Sequence, residues 1–133
     1  MKEWVIYLLI GVAVVGLAVV YSLFGPYYGV GIASWYGPGF DGNYTANGEI
    51  YDMNGISAAH KTLPFGTIVR VVDLETGRSV VVRINDRGPF VEGRMIDLSK
   101  GAAERLGIID KGITKVGLRI IRWPDRYRRW PSG

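Results

Sequence analysis

Val80-Val81-Val82-Arg83-Ile84-Asn85-Asp86-Arg87-Gly88-Pro89 reads as a strand running straight into a sharp turn. Three successive valines fit a pleated surface because their β-branched side chains restrict χ1 and pack well there. Gly88-Pro89 then ends the run. Upstream, residues 67–74 form a second apolar arm. Glu75-Thr76-Gly77 lies between 67–74 and 78–85 as a hairpin turn, with Gly77 free to take positive φ. Both arms are nearly continuously apolar, which predicts strands buried in a closed barrel rather than a one-sided sheet. Further out, residues 30–36 alternate as a first strand, 95–98 form a short strand and 115–121 a closing one. Ser99 is placed to cap a helix through Leu106, and Gly107 to end it. Residues 40–55, rich in Gly, Asn and Asp, read as a long loop. The expected fold is mainly β, one small barrel with one short helix.

The 133 residues hold one domain and an appendage, and no cysteine is present for a disulfide or thiolate metal site. A single histidine argues against zinc, and no cofactor is expected. The net charge is +4, with Arg119, Arg122, Arg126, Arg128 and Arg129 gathered near the C-terminal end. Trp123, Tyr127 and Trp130 are interleaved with them, a pattern suited either to a solvated tail or to lipid headgroups and wall polymers. No nucleic-acid-binding module is legible, and no nucleic-acid partner is expected.

Residues 4–24 carry no charge, and at about 1.5 Å per residue they are long enough to cross a hydrocarbon core of about 30 Å. A cleavable signal has a shorter apolar region and a small-residue cleavage site. Ala18-Val19-Val20-Tyr21 matches that poorly, so an uncleaved anchor is favoured. Lys2 favours a cytoplasmic N-terminus, opposed by Glu3. The expected location is therefore the cell membrane, single-pass, with the domain on the extracytoplasmic side, or secretion if the segment is cut. Residues 1–24 are the expected anchor, 25–29 a short linker, 30–123 the barrel and 124–133 a basic aromatic tail.

Five segments occur in an order that resembles the rare lipoprotein A (RlpA)-like domain. They are Gly31-Ile32-Ala33-Ser34-Trp35-Tyr36-Gly37, Thr45-Ala46-Asn47-Gly48-Glu49, the run from Ser57 through His60 to Gly66, the run from Val82 through Asp86 to Pro89, and Arg94-Met95-Ile96-Asp97-Leu98-Ser99. The resemblance implies a six-stranded double-psi β-barrel. It also implies a lytic transglycosylase that cleaves the MurNAc–GlcNAc bond of peptidoglycan glycan strands and leaves 1,6-anhydromuramyl ends. Some members prefer strands stripped of stem peptides. By position, Glu49, His60 and Asp86 match the polar residues tied to activity, and Asp97 matches a groove aspartate of wider fold relatives, expansins among them. Trp35, Tyr36, Thr45, Asn85, Arg87 and Asp97 are expected to bind substrate. Family members often carry a lipidated N-terminal cysteine and a glycan-binding repeat domain after the barrel; neither is legible here.

The chemistry asks for few groups. Cleaving a glycosidic bond requires protonation of the leaving oxygen and stabilisation of an oxocarbenium-like transition state. When the sugar's own C6 hydroxyl attacks C1, one carboxyl that donates a proton and then accepts one is sufficient. Asp86 is the first choice, although Arg83 and Arg87 would oppose its protonation if they pointed at it. Glu49 is placed to oppose Asp86, His60 to position it, and Asp97 to pair with Arg94. Trp35, Tyr36, Phe40, Tyr44 and Tyr51 together suggest a sugar-binding groove. A second reading is an expansin-like module that binds wall glycan without cutting it. A third makes the chain a scaffold at the division or cell-wall machinery.

Overall fold

The computed structural model describes residues 2–128; the side chains of Ser22, Tyr127 and Arg128 are not described. Part of the expected basic tail, Arg129 and Trp130 included, therefore lies outside the described residues. The elements run α1 (Glu3–Phe24), β1 (Gly29–Trp35), β2 (Ser57–His60), β3 (Ile68–Asp73), β4 (Ser79–Asp86), β5 (Arg94–Leu98), α2 (Lys100–Leu106), β6 (Thr114–Arg122) and α3 (Asp125–Arg128). The six strands close in the order β1-β5-β2-β4-β3-β6. β1 pairs with β5, and β2 with β4, in parallel; the remaining neighbours are antiparallel. A hairpin joins only antiparallel neighbours, so the connections from β1 to β2 and from β4 to β5, strands that are not neighbours in the barrel, are longer loops, and both line the groove described below.

The expected hairpin is present. Gly77 takes φ 77° and donates its N–H to the Asp73 carbonyl at 2.8 Å. The arms are not continuously buried, however. In β3, Val69, Val71 and Asp73 point inward while Ile68, Arg70 and Val72 are half exposed, and in β4 Val81 is exposed between buried Val80 and Val82. The outer wall of a single-layer barrel is only partly covered, so alternation returns even where every residue is apolar.

β2 was not legible from its residues. Ser57-Ala58-Ala59-His60 is four residues long, fully buried, and rich in alanine, which has little strand propensity of its own. It is a strand because β4 and β5 hold it from both sides. Small side chains are what a strand in the crowded middle of this barrel can carry.

The interior is filled by Val69, Val71, Val82, Ile84, Ile96, Leu98, Val116 and Leu118, with Ala102, Ala103 and Leu106 of α2 packed against them. Ser99 caps α2 as expected: its Oγ accepts from Ala102 N and Ser57 N and donates to the Gly55 carbonyl at 2.7 Å. At the other end Gly107 takes the left-handed C-cap conformation. Ser99→Ala strands three partners at once, the buried Ser57 N and Ala102 N and the half-buried Gly55 carbonyl. It should lower unfolding free energy by about 2 kcal/mol, measurable by urea denaturation of the full chain in detergent micelles.

α1 is 22 residues long and apolar enough to cross a membrane, with its sides exposed. Its connection to the barrel is tight. Arg119 Nε donates to the Gly25 carbonyl at 3.0 Å, and the Arg119 guanidinium lies 4.2 Å from the Tyr27 ring centre. Tyr28 N donates to the Leu118 carbonyl at 2.7 Å, and Gly29 already belongs to β1. A Cβ on Gly117 would fall 2.5 Å from the Tyr27 ring, so glycine there lets the ring lie flat on β6.

Candidate functional site

Strand register sets the site. Asp86, at the end of β4, stands beside Ala59 of β2; Ala59 stands beside Asp97 of β5; Asp97 stands beside Ser34 of β1. Neighbouring positions across a sheet share a face, so two carboxylates flank one methyl group. Ala59, Asp86 and Asp97 form the floor of a groove of about 500 Å³. One wall is aromatic, made by Trp35, Tyr36, Phe40, Tyr44 and Tyr51; the other is the turn from Arg87 to Val91 together with Arg94. Tyr44 and Phe90 expose 79% and 90% of their surface, so flat apolar faces border a polar floor. A larger crevice, about 670 Å³, opens between the end of α1 and β6, but among the described residues no carboxylate or imidazole lines it. The groove is the chemical candidate.

Asp86 is held by backbone N–H groups. Its Oδ1 accepts from Ala46 N at 2.9 Å and Arg87 N at 2.8 Å, and among the described residues Oδ2 has no donor. Neither neighbouring arginine reaches the carboxylate. Arg83 forms a two-pronged pair with Glu49, at 2.5 and 2.6 Å. Arg87 donates to the backbone carbonyls of Leu63 (2.9 Å) and His60 (3.3 Å), and its guanidinium lies 3.9 Å from the Phe65 ring centre.

Glu49 is not among the residues that line the groove; its carboxylate is turned to Arg83. The Arg83 guanidinium holds its carboxyl down to about 2, aided by Asn47 and Asn85 donors and against a smaller opposing effect of burial. Thr45 Oγ bonds Asn47 Oδ1 at 2.5 Å and the Glu49 carbonyl at 3.2 Å, and Asn47 N reaches the Asn85 carbonyl at 3.3 Å. The 45–49 turn is thereby fixed against the end of β4, where it presents Ala46 N to Asp86. Because pairing lowers the folded-state value below the ordinary 4.5, its stabilisation is full above 4.5 and is lost as pH falls toward 2. Glu49→Gln should cost about 0.5–1 kcal/mol at pH 7, discounted for its half-exposed side chain. The difference from wild type should close between those two pH values in denaturation curves.

His60 also lies outside the groove lining. Its Nδ1 accepts from Thr62 N at 3.1 Å and Leu63 N at 3.0 Å, which places the proton of the neutral ring on Nε2. Burial first, then the positive charges of Arg87 and Lys61, push it toward the neutral form. Its visible work is to close the turn whose carbonyls hold Arg87.

Asp97 accepts from buried Ser34 Oγ rather than pairing with Arg94 as expected. Among the described residues Arg94 lines the groove with no side-chain partner. Sequence reading missed that role because a strand-edge arginine two places before a buried isoleucine gives no sign of where it points. Tyr36 packs edge-on against Phe40 and Tyr51, with ring centres 5.9 and 4.8 Å away. Its buried hydroxyl has no partner among the described residues, and burial, helped by the charge of Asp86, pushes it well above the usual phenol range. Trp35, Tyr36, Arg87 and Asp97 thus meet Asp86 at the groove, whereas Glu49, His60, Thr45 and Asn85 stand behind it.

Comparison with known proteins follows the same barrel. Over 92 residues the chain is 62% identical to the probable endolytic peptidoglycan transglycosylase RlpA of Synechocystis sp., covering 69% of this chain and 29% of that protein. It is 58% identical over 91 residues to the endolytic peptidoglycan transglycosylase RlpA of Campylobacter jejuni, covering 68% and 33%. The chain therefore spans about a third of the length of the curated relatives it matches. Among solved structures, the Streptomyces papain inhibitor superposes with a TM-score of 0.57 at 25% identity, over 73% of this chain and 98% of that one. An expansin of Clavibacter michiganensis superposes with a TM-score of 0.56 at 25% identity, over 71% and 50%. The profile of the family described as lytic transglycolase matches residues 28–118, nearly the whole barrel, and the chain belongs to that family.

Proposed function

We propose that the groove cleaves peptidoglycan glycan strands by lytic transglycosylation at the MurNAc–GlcNAc bond. The observation that carries this is Asp86: a rigid carboxylate, free of any arginine pair, at the floor of an aromatic-walled groove. The names of the relatives support the same activity. In its protonated form Asp86 gives a proton to the glycosidic oxygen, and the C1–O bond breaks. The muramyl C6 hydroxyl closes on C1 and returns its proton to Asp86, which leaves a 1,6-anhydro ring and a carboxyl ready for another turn. Asp97, fixed by Ser34, supplies negative charge on the other side of Ala59 to the oxocarbenium-like transition state. Glu49 and His60 act through position, holding the turns that hold Asp86 and Arg87.

In this reading residues 1–24 anchor the barrel, residues 30–123, on the outer side of the membrane. Full-length chain in detergent micelles, incubated with isolated glycan strands, should release products with 1,6-anhydromuramyl ends, identified by mass. Reducing ends alone would reject transglycosylation. The likeness to an expansin favours a second reading, glycan binding without cleavage. Retention on insoluble peptidoglycan with no soluble product would select it.

A further inference from the structure

Among the described residues, Arg94 is the one cation lining the groove whose side chain has no partner. Arg87, the other arginine in the lining, is committed to two backbone carbonyls and the Phe65 ring. Arg94 has no hydrogen-bond, ion-pair or ring partner among the described residues, although it shares the lining with Asp86 and Asp97. The two carboxylates are otherwise engaged, Asp97 by Ser34 and Asp86 by two backbone N–H groups. One extra residue of β5, Met95, lies opposite the Ile32–Ala33 step of β1, so Arg94 beside Ile32 and Asp97 beside Ser34 come to the same face although they are three apart in sequence. A guanidinium fits a carboxylate with two parallel bonds, and in a half-buried groove such a pair is stronger than at an open surface.

Resting on the glycan-cleaving reading, the partner can be named by chemistry. The glycan alternates two hexosamines, and only the muramic acid carries a carboxyl, on the lactyl group at O3. That carboxyl and the C1 to be cleaved belong to the same ring, so one sugar can present C1 to Asp86 and its lactyl group to Arg94. We infer that Arg94 takes the lactyl carboxylate of a muramic acid ring and thereby sets which of the two alternating glycosidic bonds lies over Asp86.

The test uses full-length chain in detergent micelles, in an Asp86→Asn background so that strands are not consumed. Three probes separate the groups: glycan strands with free lactyl carboxylates, the same strands with those carboxylates converted to neutral amides, and chitohexaose. The parent protein should bind the first about tenfold more tightly than the second. Arg94→Gln should bind the free-carboxylate strands only as well as the amidated ones, with chitohexaose affinity unchanged, and Arg94→Lys should recover part of the difference. In a protein with Asp86 intact, Arg94→Gln should also lower the share of cuts made at muramyl C1. Equal weakening on all three probes would show a merely structural role and overturn the inference, as would a parent protein that binds amidated and free strands alike. Failure of the parent protein to bind any glycan would instead defeat the underlying functional reading.

Discussion

Asp86→Asn should reduce formation of 1,6-anhydromuramyl ends by about a thousandfold, the scale of a lost general acid that also serves as base. The change is nearly isosteric. The side-chain oxygen that accepts from Ala46 N and Arg87 N survives in asparagine, so the turn should keep its shape. The melting temperature should move by no more than about 2 °C, and strands should still be retained in a sedimentation assay. Loss of product with retained binding separates proton transfer from recognition. Unchanged product would remove Asp86 from the chemistry and leave Asp97 as the remaining groove carboxyl.

The largest stability effect is expected at a residue that touches no substrate. Alanine in place of glycine usually favours a helix by up to about 1 kcal/mol, yet Gly101→Ala should destabilise this chain by about 2–3 kcal/mol. A Cβ at 101 would fall 2.6 Å from the backbone carbonyl oxygens of both Asn54 and Gly55, atoms with no rotamer to give way. Gly101 N also donates to the Met53 carbonyl at 2.8 Å, so helix and loop cannot part without losing that bond. Melting temperature should drop by about 10 °C. The same loop leads back to Tyr51, whose hydroxyl meets Lys100 N at 3.4 Å, so groove affinity should weaken in step. A stabilised variant would mean that α2 and the 52–55 turn do not approach as closely as described.

What the sequence disclosed depended on whether the signal was local. Turn glycine, helix cap and β-branched runs are set by neighbouring residues, and Gly77, Ser99 and Val80–Val82 could be read directly. The β2 strand could not, since alanine becomes extended there only under the grip of two partners. Sidedness of the arms misled for a related reason: a valine run says nothing about which valines meet solvent. At the site, the residue types were visible and their pairings were not. Glu49 and Arg83 are 34 positions apart, and no local pattern could join them or show that their pairing leaves Asp86 alone. Arg94 and Asp97, close in sequence, suggested a pair, yet the aspartate is taken by Ser34, 63 positions away in the chain. The shared register of Asp86, Ala59 and Asp97 is a property of closure, and it emerges only once the barrel is complete.

The stacking of Tyr27 on Gly117, clasped by Arg119, has a mechanical outcome when α1 lies in a bilayer. A floppy leash would let a tethered body sweep a hemisphere above its mooring. A body riveted to the end of its own mast can do little more than swivel about it and drift sideways in the plane. If the groove acts as proposed, it would then travel at a constant altitude, and polymer lying at that altitude is what it would meet.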